Sequence, residues 1–181
     1  EVYSKYEFFL HIHSKKTVQE KVLSGWRKYL FETLLGNKNT VLCIFDVFNS
    51  DNSLGIIAPQ HFASIRHAIG WGWNYQKART FAQKLEIKID PEGPVDFPSG
   101  SMFWGRTAAL KPLLESGLSF SDFPEESGQI DNTLSHVIER LYFFVCEKSG
   151  FNWIKINSRF NKTSGERTLR VESRKNLIEM I

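Results

Sequence analysis

Near its start the chain reads His11-Ile12-His13-Ser14-Lys15-Lys16, at the end of a short aromatic run, residues 6–12, with strand character. Residues two apart on a strand share a face, so His11 and His13 point the same way. Two neutral imidazoles so placed can hold a divalent metal, and a lysine beyond them can hold a phosphate. The competing reading makes both histidines hydrogen-bonded structural residues beside a solvated lysine pair, since two histidines are an incomplete ligand set. A second group is Phe97-Pro98-Ser99-Gly100-Ser101-Met102-Phe103-Trp104-Gly105-Arg106. Gly100, where a strand begins, permits a bulge or the close approach of a ligand. Met102 and Trp104 share one face of that strand, and Ser101 and Phe103 the other. One face is expected in the core, leaving the other to floor a sugar or base site, with Arg106 just beyond.

A third group is the acidic stretch Asp122 to Asp131 and the helix after it. Asp131 or Asn132 can cap that helix, and Asn132, His136, Arg140 and Phe143 form a stripe apart from the apolar one. A positioned carboxylate beside a cleft can act as a general base, and Asp131, Glu125 or Glu126 would serve. Helix capping plus a solvated face explains the same residues. Trp71 and Trp73, in Gly70-Trp71-Gly72-Trp73-Asn74, either clamp a flat ligand or plug the core beneath their loop.

These groups need elements to hold them. Thr17 and Glu20 make a capping box for a helix in which Val18, Val22, Trp26, Leu30 and Leu34 recur at helical spacing. Further helices are expected over residues 40–48, 74–85, 107–115 and 132–148. Strands are expected over 54–58, 101–104 and 151–156, with loops over 61–73, 90–98 and 119–131. Strands alternating with helices in this way indicate an α/β fold in which helices cover a small sheet. Long loops rich in Trp, His and Pro read as site-forming. The domain is expected over residues 1–157, followed by a basic extension, 158–181.

The 181 residues, 41% hydrophobic and 24% charged, exclude wholesale disorder. No apolar run is long enough for a membrane span, and the opening residues do not read as a signal peptide. A net charge of +3 is too small to imply nucleic acid, and Glu166, Glu172 and Glu179 interrupt the basic tail. Cys43 and Cys146 lie in apolar helical patterns without metal spacing, so both read as buried hydrophobes in a reducing compartment. The unusual number is the 14% aromatic content, which builds cores but also stacks on sugars, bases and lipid interfaces.

HIHSKK before a helix containing Trp26, then LGIIAP, the aromatic loop ending at Asn74, FPSGSMFWGR and FPEESGQIDNTLSHVIERL occur in an order that resembles the rhamnan synthesis protein F family. The likeness covers residues 11–156. It implies a GT-A-like fold, with a small central sheet flanked by helices. It also implies transfer of rhamnose or a related deoxysugar from a nucleotide-sugar donor to a glycan acceptor, in bacterial O-antigen or cell-wall polysaccharide synthesis. The implied setting is the cytoplasm, with peripheral contact to the inner face of the membrane or to other polysaccharide-assembly proteins. By this likeness Asp131 is the first choice of acceptor base, with Glu126 second and His136 beside them. His11, His13, Lys15, Gly100, Ser101 and Arg106 would meet the donor, and Trp71, Trp73 and Trp104 the acceptor. His11 and His13 stand where related folds carry an Asp-x-Asp for Mg or Mn, and no Asp-x-Asp is present. Only ten residues precede His11, so the amino-terminal nucleotide-binding half is expected to come from elsewhere. The alternative is a non-catalytic glycan-binding or assembly module of a larger protein. The shared expectation is that the imidazoles and Asp131 converge on one sugar-sized hollow.

Overall fold

The apolar run LGIIAP has no polar face to offer solvent, and it forms a strand, β2 (Leu54–Pro59), buried at every position. In the computed structural model, which describes residues 5–13, 23–123, 131–157 and 169–170, this strand is the centre of a five-stranded sheet. The others are β1 (Phe8–His11), β3 (Phe103–Arg106), β4 (Asn152–Asn157) and the two-residue β5 (Leu169–Arg170). Their order is β1-β3-β2-β4-β5. β3 runs antiparallel to both β1 and β2, whereas β2, β4 and β5 are parallel. One rim of the sheet therefore gathers the carboxyl ends of β1, β2 and β4 and the amino end of β3.

Helices cover both faces. On one, α1 (Trp26–Leu34) and α2 (Lys38–Ser50) bury Leu34, Ile44 and Phe48 against Ile57 and Trp104. On the other, α3 (Tyr75–Lys84) and, after the short α4 (Lys111–Leu114), α5 (Leu134–Lys148) bury Ala82, Val137 and Leu141 against Ile56 and Phe103. A bulge in β2 between Leu54 and Ile56 turns Leu54 to the α1/α2 side while Ile56 faces α5. Gly55 sits at that bulge because a Cβ there would lie 2.6 Å from both Ala109 Cβ and Cys146 Sγ. The result is an α/β domain with a mixed sheet flanked by helices, consistent with a small GT-A-like domain.

Several boundaries differ from the sequence expectation. β3 begins at Phe103, not Ser101, because Gly100 (φ +82°) and Ser101 (φ +50°) are in the left-handed region and cannot extend a strand. Both faces of β3 are core: Phe103 packs toward α5, while Met102 and Trp104 pack toward α2. Neither face is left to floor a ligand. α5 begins at Leu134 and is capped by Thr133, whose hydroxyl accepts the His136 N–H; Asn132, at φ +65°, cannot enter the helix. The helix expected over 107–115 is a 3-10 turn, Thr107–Leu110, followed by α4, with Pro112 in its first turn. Thr17 and Glu20 lie outside the described residues; among those described, the first helix begins only at Trp26, because Gly25 before it is in the left-handed region (φ +88°). Within the stretch set apart as an extension, Leu169 and Arg170 pair with Ile156 and Asn157.

Candidate functional site

The segment from Asp96 to Ser101 crosses the rim of the sheet and meets β4, the residues just past β2, and β1 in turn. Asp96 accepts hydrogen bonds from Lys155 Nζ of β4 (2.5 Å) and from His61 Nε2, just past β2 (2.9 Å). Ser99 Oγ lies 2.9 Å from His61 Nδ1. The Ser101 carbonyl accepts from His11 Nδ1 of β1 at 2.6 Å. From below, Glu139 of α5 accepts the Gly100 N–H at 2.7 Å. The left-handed turn at Gly100 and Ser101 points that N–H at the helix, and Trp26 and Leu30 crowd the space a Cβ would need.

His11 and His13 are in edge contact, with ring centroids 4.9 Å apart. Burial lowers the pKa of both from the ordinary 6.5, outweighing the hydrogen bonds to Ser101, and the neighbouring imidazole lowers His11 further. Both are therefore neutral near pH 7. The bond from His11 Nδ1 to a carbonyl fixes the tautomer, so Nε2 carries the lone pair. The implied Mg or Mn fits this set poorly, because both ions prefer oxygen ligands in octahedral arrangement. Among the described residues no group of three or more His, Cys, Asp or Glu side chains could hold a metal.

Glu139 is the rim carboxylate with the least ordinary environment. Its side chain is 16% exposed, and burial raises its pKa above the usual 4.5 despite the Arg140 charge and the hydrogen bonds from the Gly100–Ser101 turn. Sequence reading passed over it, because on α5 it stands beside Arg140 in what reads as a solvated face. Arg140 is in fact buried. It donates to the carbonyls of Gly70 (2.9 Å) and His136 (3.0 Å), lies over the Phe97 ring, and stands 3.5 Å from Asp131.

Asp131 is the hub of a second cluster on the same side of the sheet. Its carboxylate accepts hydrogen bonds from the Asn74 side-chain amide and from the Trp73 N–H (3.2 Å), and the Asn132 N–H returns to Asn74 Oδ1 (3.0 Å). Partial burial pushes its pKa up, but these bonds and the Arg140 charge outweigh that and hold it below the ordinary 3.8. This geometry fastens the Gly70–Asn74 loop to the head of α5. Gly72, at φ +53°, leaves the space that Asp131 Oδ2 occupies.

The remaining expected residues divide. Gly100 and Ser101 join His11 and His13 at the rim. Arg106 does not: it lies at the opposite end of β3, where it bonds Glu7 and the carbonyls of Leu54 and Phe48 and so clamps β1, β2 and α2. Trp104 is buried among α1 and α2, with its indole N–H on the Leu34 carbonyl. Trp71 is the plug: it is buried, stacked on Phe144 and bonded to the Asp90 carbonyl. Trp73 is 80% exposed. His136 bonds Thr133 at the start of α5. Lys15 and Glu126 lie outside the described residues. The imidazoles and Asp131 are linked through Ser101, Gly100, Glu139 and Arg140. Yet an open groove of about 740 Å³ beside α3 and a hollow of about 530 Å³ near α4 are lined by neither His11, His13 nor Asp131.

Sequence reading also missed His61, Asp96 and Lys155. Ser99, His61 and Asp96 have the connectivity of a nucleophilic triad, but Ser99 is buried. The neighbouring N–H groups that could hold an oxyanion are taken, Gly100 by Glu139 and Ser101 by the Pro98 carbonyl. These three residues therefore fix the loop. Asp96 is held below its ordinary pKa, because hydrogen bonds from His61 and Lys155 and their charges overcome the effect of burial.

Among the described residues no helix is long and apolar enough to cross a membrane. No solved structure matches the chain. Two proteins of Xanthomonas campestris pv. campestris, from strain B100 and a second strain, each called uncharacterized protein WxcX, are 35% identical over 148 residues. The alignment covers 80% of this chain and 20% of each relative, so the chain spans a fifth of the length of these curated relatives. The profile of rhamnan synthesis protein F matches residues 1–151, which include the whole Asp96–Ser101 loop and every residue it meets except Lys155, and the chain belongs to that family.

Proposed function

We propose that the chain is a glycosyltransferase domain that moves a deoxysugar, rhamnose or a close relative, from a nucleotide-activated donor to a growing cell-surface glycan. Family membership ties it to rhamnan and polysaccharide synthesis; transfer itself is the proposal. The observation that carries it is Glu139, a partly buried carboxylate with a raised pKa beneath a strained turn, at the rim where α/β sheets take their ligands. In this reading Glu139 removes the proton from the acceptor hydroxyl as that oxygen forms its bond to the anomeric carbon. The nucleotide leaves with the electron pair of the broken bond. His11, His13 and Ser101 line the donor side. Asp131 acts as a positioning residue that holds the Trp73 loop.

The test is transfer from a nucleotide-diphosphate rhamnose by the full-length protein. Glu139→Gln should lower the rate by about 100-fold or more, with an unchanged circular dichroism spectrum, because the amide oxygen still accepts the Gly100 N–H. Asp131→Asn should reduce transfer less and leave the acid limb of the pH–rate profile in place. Parental rates in Glu139→Gln would remove Glu139 from the role. The 80% exposure of Trp73 favours a second reading, a glycan-binding module without chemistry. It predicts sugar binding with no turnover and indifference to the nucleotide.

A further inference from the structure

The open groove of about 740 Å³ runs between α3 and the first turns of α5. Phe81, Leu118, Leu134 and Val137 give it an apolar floor, while Gln76, Thr80, Ser121 and Asn132 bring hydroxyls and amides to its walls. Trp73 stands one turn ahead of Gln76 and Lys77 at helical spacing, on the side of α3 that carries Thr80 and Lys84. Its backbone is pinned by Asp131, yet its ring is 80% exposed. A fixed backbone under a bare indole is a prepared stacking surface, not a loosely packed side chain. Phe120, next to the lining residue Ser121, is 98% exposed.

The groove carries two lysines, Lys77 and Lys84, and one carboxylate, Asp122, and each of the three already has a partner. Lys77 Nζ donates to the Asn132 carbonyl at 2.7 Å. Asp122 accepts from Ser119 and lies within reach of the Lys84 charge. An anionic ligand would find no unopposed cation cluster among these lining residues, and an apolar one would leave the polar walls unpaired. We infer that this groove binds a neutral oligosaccharide, with a sugar face stacked on Trp73 and its hydroxyls met by Gln76, Thr80 and Asn132. Trp73 stands beside the lining residues, not among them; its anchor Asp131 precedes the lining residue Asn132 and connects through Arg140 to Glu139, so the Asn132 end of the groove is the end coupled to the rim. That the bound glycan is the acceptor rests on the glycosyltransferase reading; that it binds here does not.

The test is a ¹H–¹⁵N NMR titration of the full chain with a neutral rhamno-oligosaccharide and, separately, with a nucleoside diphosphate. The oligosaccharide should shift the Trp73 indole and the amides of Gln76, Thr80 and Asn132. Trp73→Ala and the groove-filling Thr80→Arg should each weaken its binding about tenfold or more, with dispersed spectra showing that both variants fold. Binding unchanged in both variants, shifts confined to the rim, occupation of the groove by the nucleoside diphosphate, or no shift at all would each overturn the inference. Absence of sugar transfer would overturn the enzyme reading while leaving these shifts intact, so the two failures are distinguishable.

Discussion

His11 and His13 show how a pair legible in sequence acquires a definite chemical state. Their spacing indicates a shared strand face but not that the Ser101 carbonyl will fix one tautomer or that burial will hold both rings neutral. The consequence is a pH dependence with a definite sign. A histidine whose folded pKa lies below the ordinary 6.5 binds its proton more readily when unfolded. Its contribution to stability is therefore complete above that value and is lost as the pH falls toward the folded pKa. Glu139 acts oppositely: its pKa is raised from 4.5, so its contribution fades as the pH rises through that region. Urea midpoints measured between about pH 7 and pH 5 should fall more steeply on acidification in Glu139→Gln than in the parent. Replacing both histidines by Asn should flatten the slope. An unchanged slope in the double variant would mean that the rings are not held neutral by the fold.

Individual elements were largely readable, and their junctions were not. Leu54–Pro59, the helix before it and α5 announce themselves by apolar run or by period, and they appear within a few residues of the expected bounds, whereas α1 starts at Trp26, well after the expected cap at Thr17. The start of β3 and the head of α5 were misplaced for one physical reason: Ser101 and Asn132 adopt positive φ, which serine seldom does and which asparagine tolerates without requiring. The residue before each, Gly100 or Asp131, is held by a partner distant in sequence. The bond between Gly100 and Glu139 spans 39 residues, and that between Asn74 and Asp131 spans 57. No local pattern encodes such pairs, and for that reason Glu139, His61 and Asp96 escaped notice while the histidine pair did not. The Gly70–Asn74 loop gives this a controlled test. At Gly72, φ is +53° and a Cβ would lie 2.6 Å from Asp131 Oδ2, whereas Gly70 has nothing within 4 Å. Gly72→Ala should cost about 1–3 kcal/mol and speed hydrogen exchange at the Trp73 N–H. Gly70→Ala should leave both nearly unchanged. Equal behaviour of the two variants would mean that Asp131 does not fasten the loop.

At the scale of the whole molecule, one sheet serves two cores. Composition and periodicity foretold helices over a sheet, but not that β3 would be buried on both faces and so belong to both cores. That sharing bears on how the fold comes apart. Ile56 and Ile57 are neighbours in β2 yet pack on opposite sides, so neither helical layer can leave without exposing apolar surface on a strand the other layer needs. The hydrophobic term opposes such partial states, and unfolding should be a single transition. Trp104 reports on the α1/α2 side and Trp71 on the α3/α5 side. Leu34 and Leu141, both fully buried, lie in the respective cores, and truncating either to Ala should cost about 2–5 kcal/mol. In each variant tryptophan fluorescence and far-ultraviolet circular dichroism should give coincident urea curves, shifted together. Two separated transitions, with Leu34→Ala moving one and Leu141→Ala the other, would mean that the layers are energetically independent. The rim loop could then no longer be regarded as held by a single rigid frame, since Asp96 and Glu139 would be anchoring it to parts that open at different times.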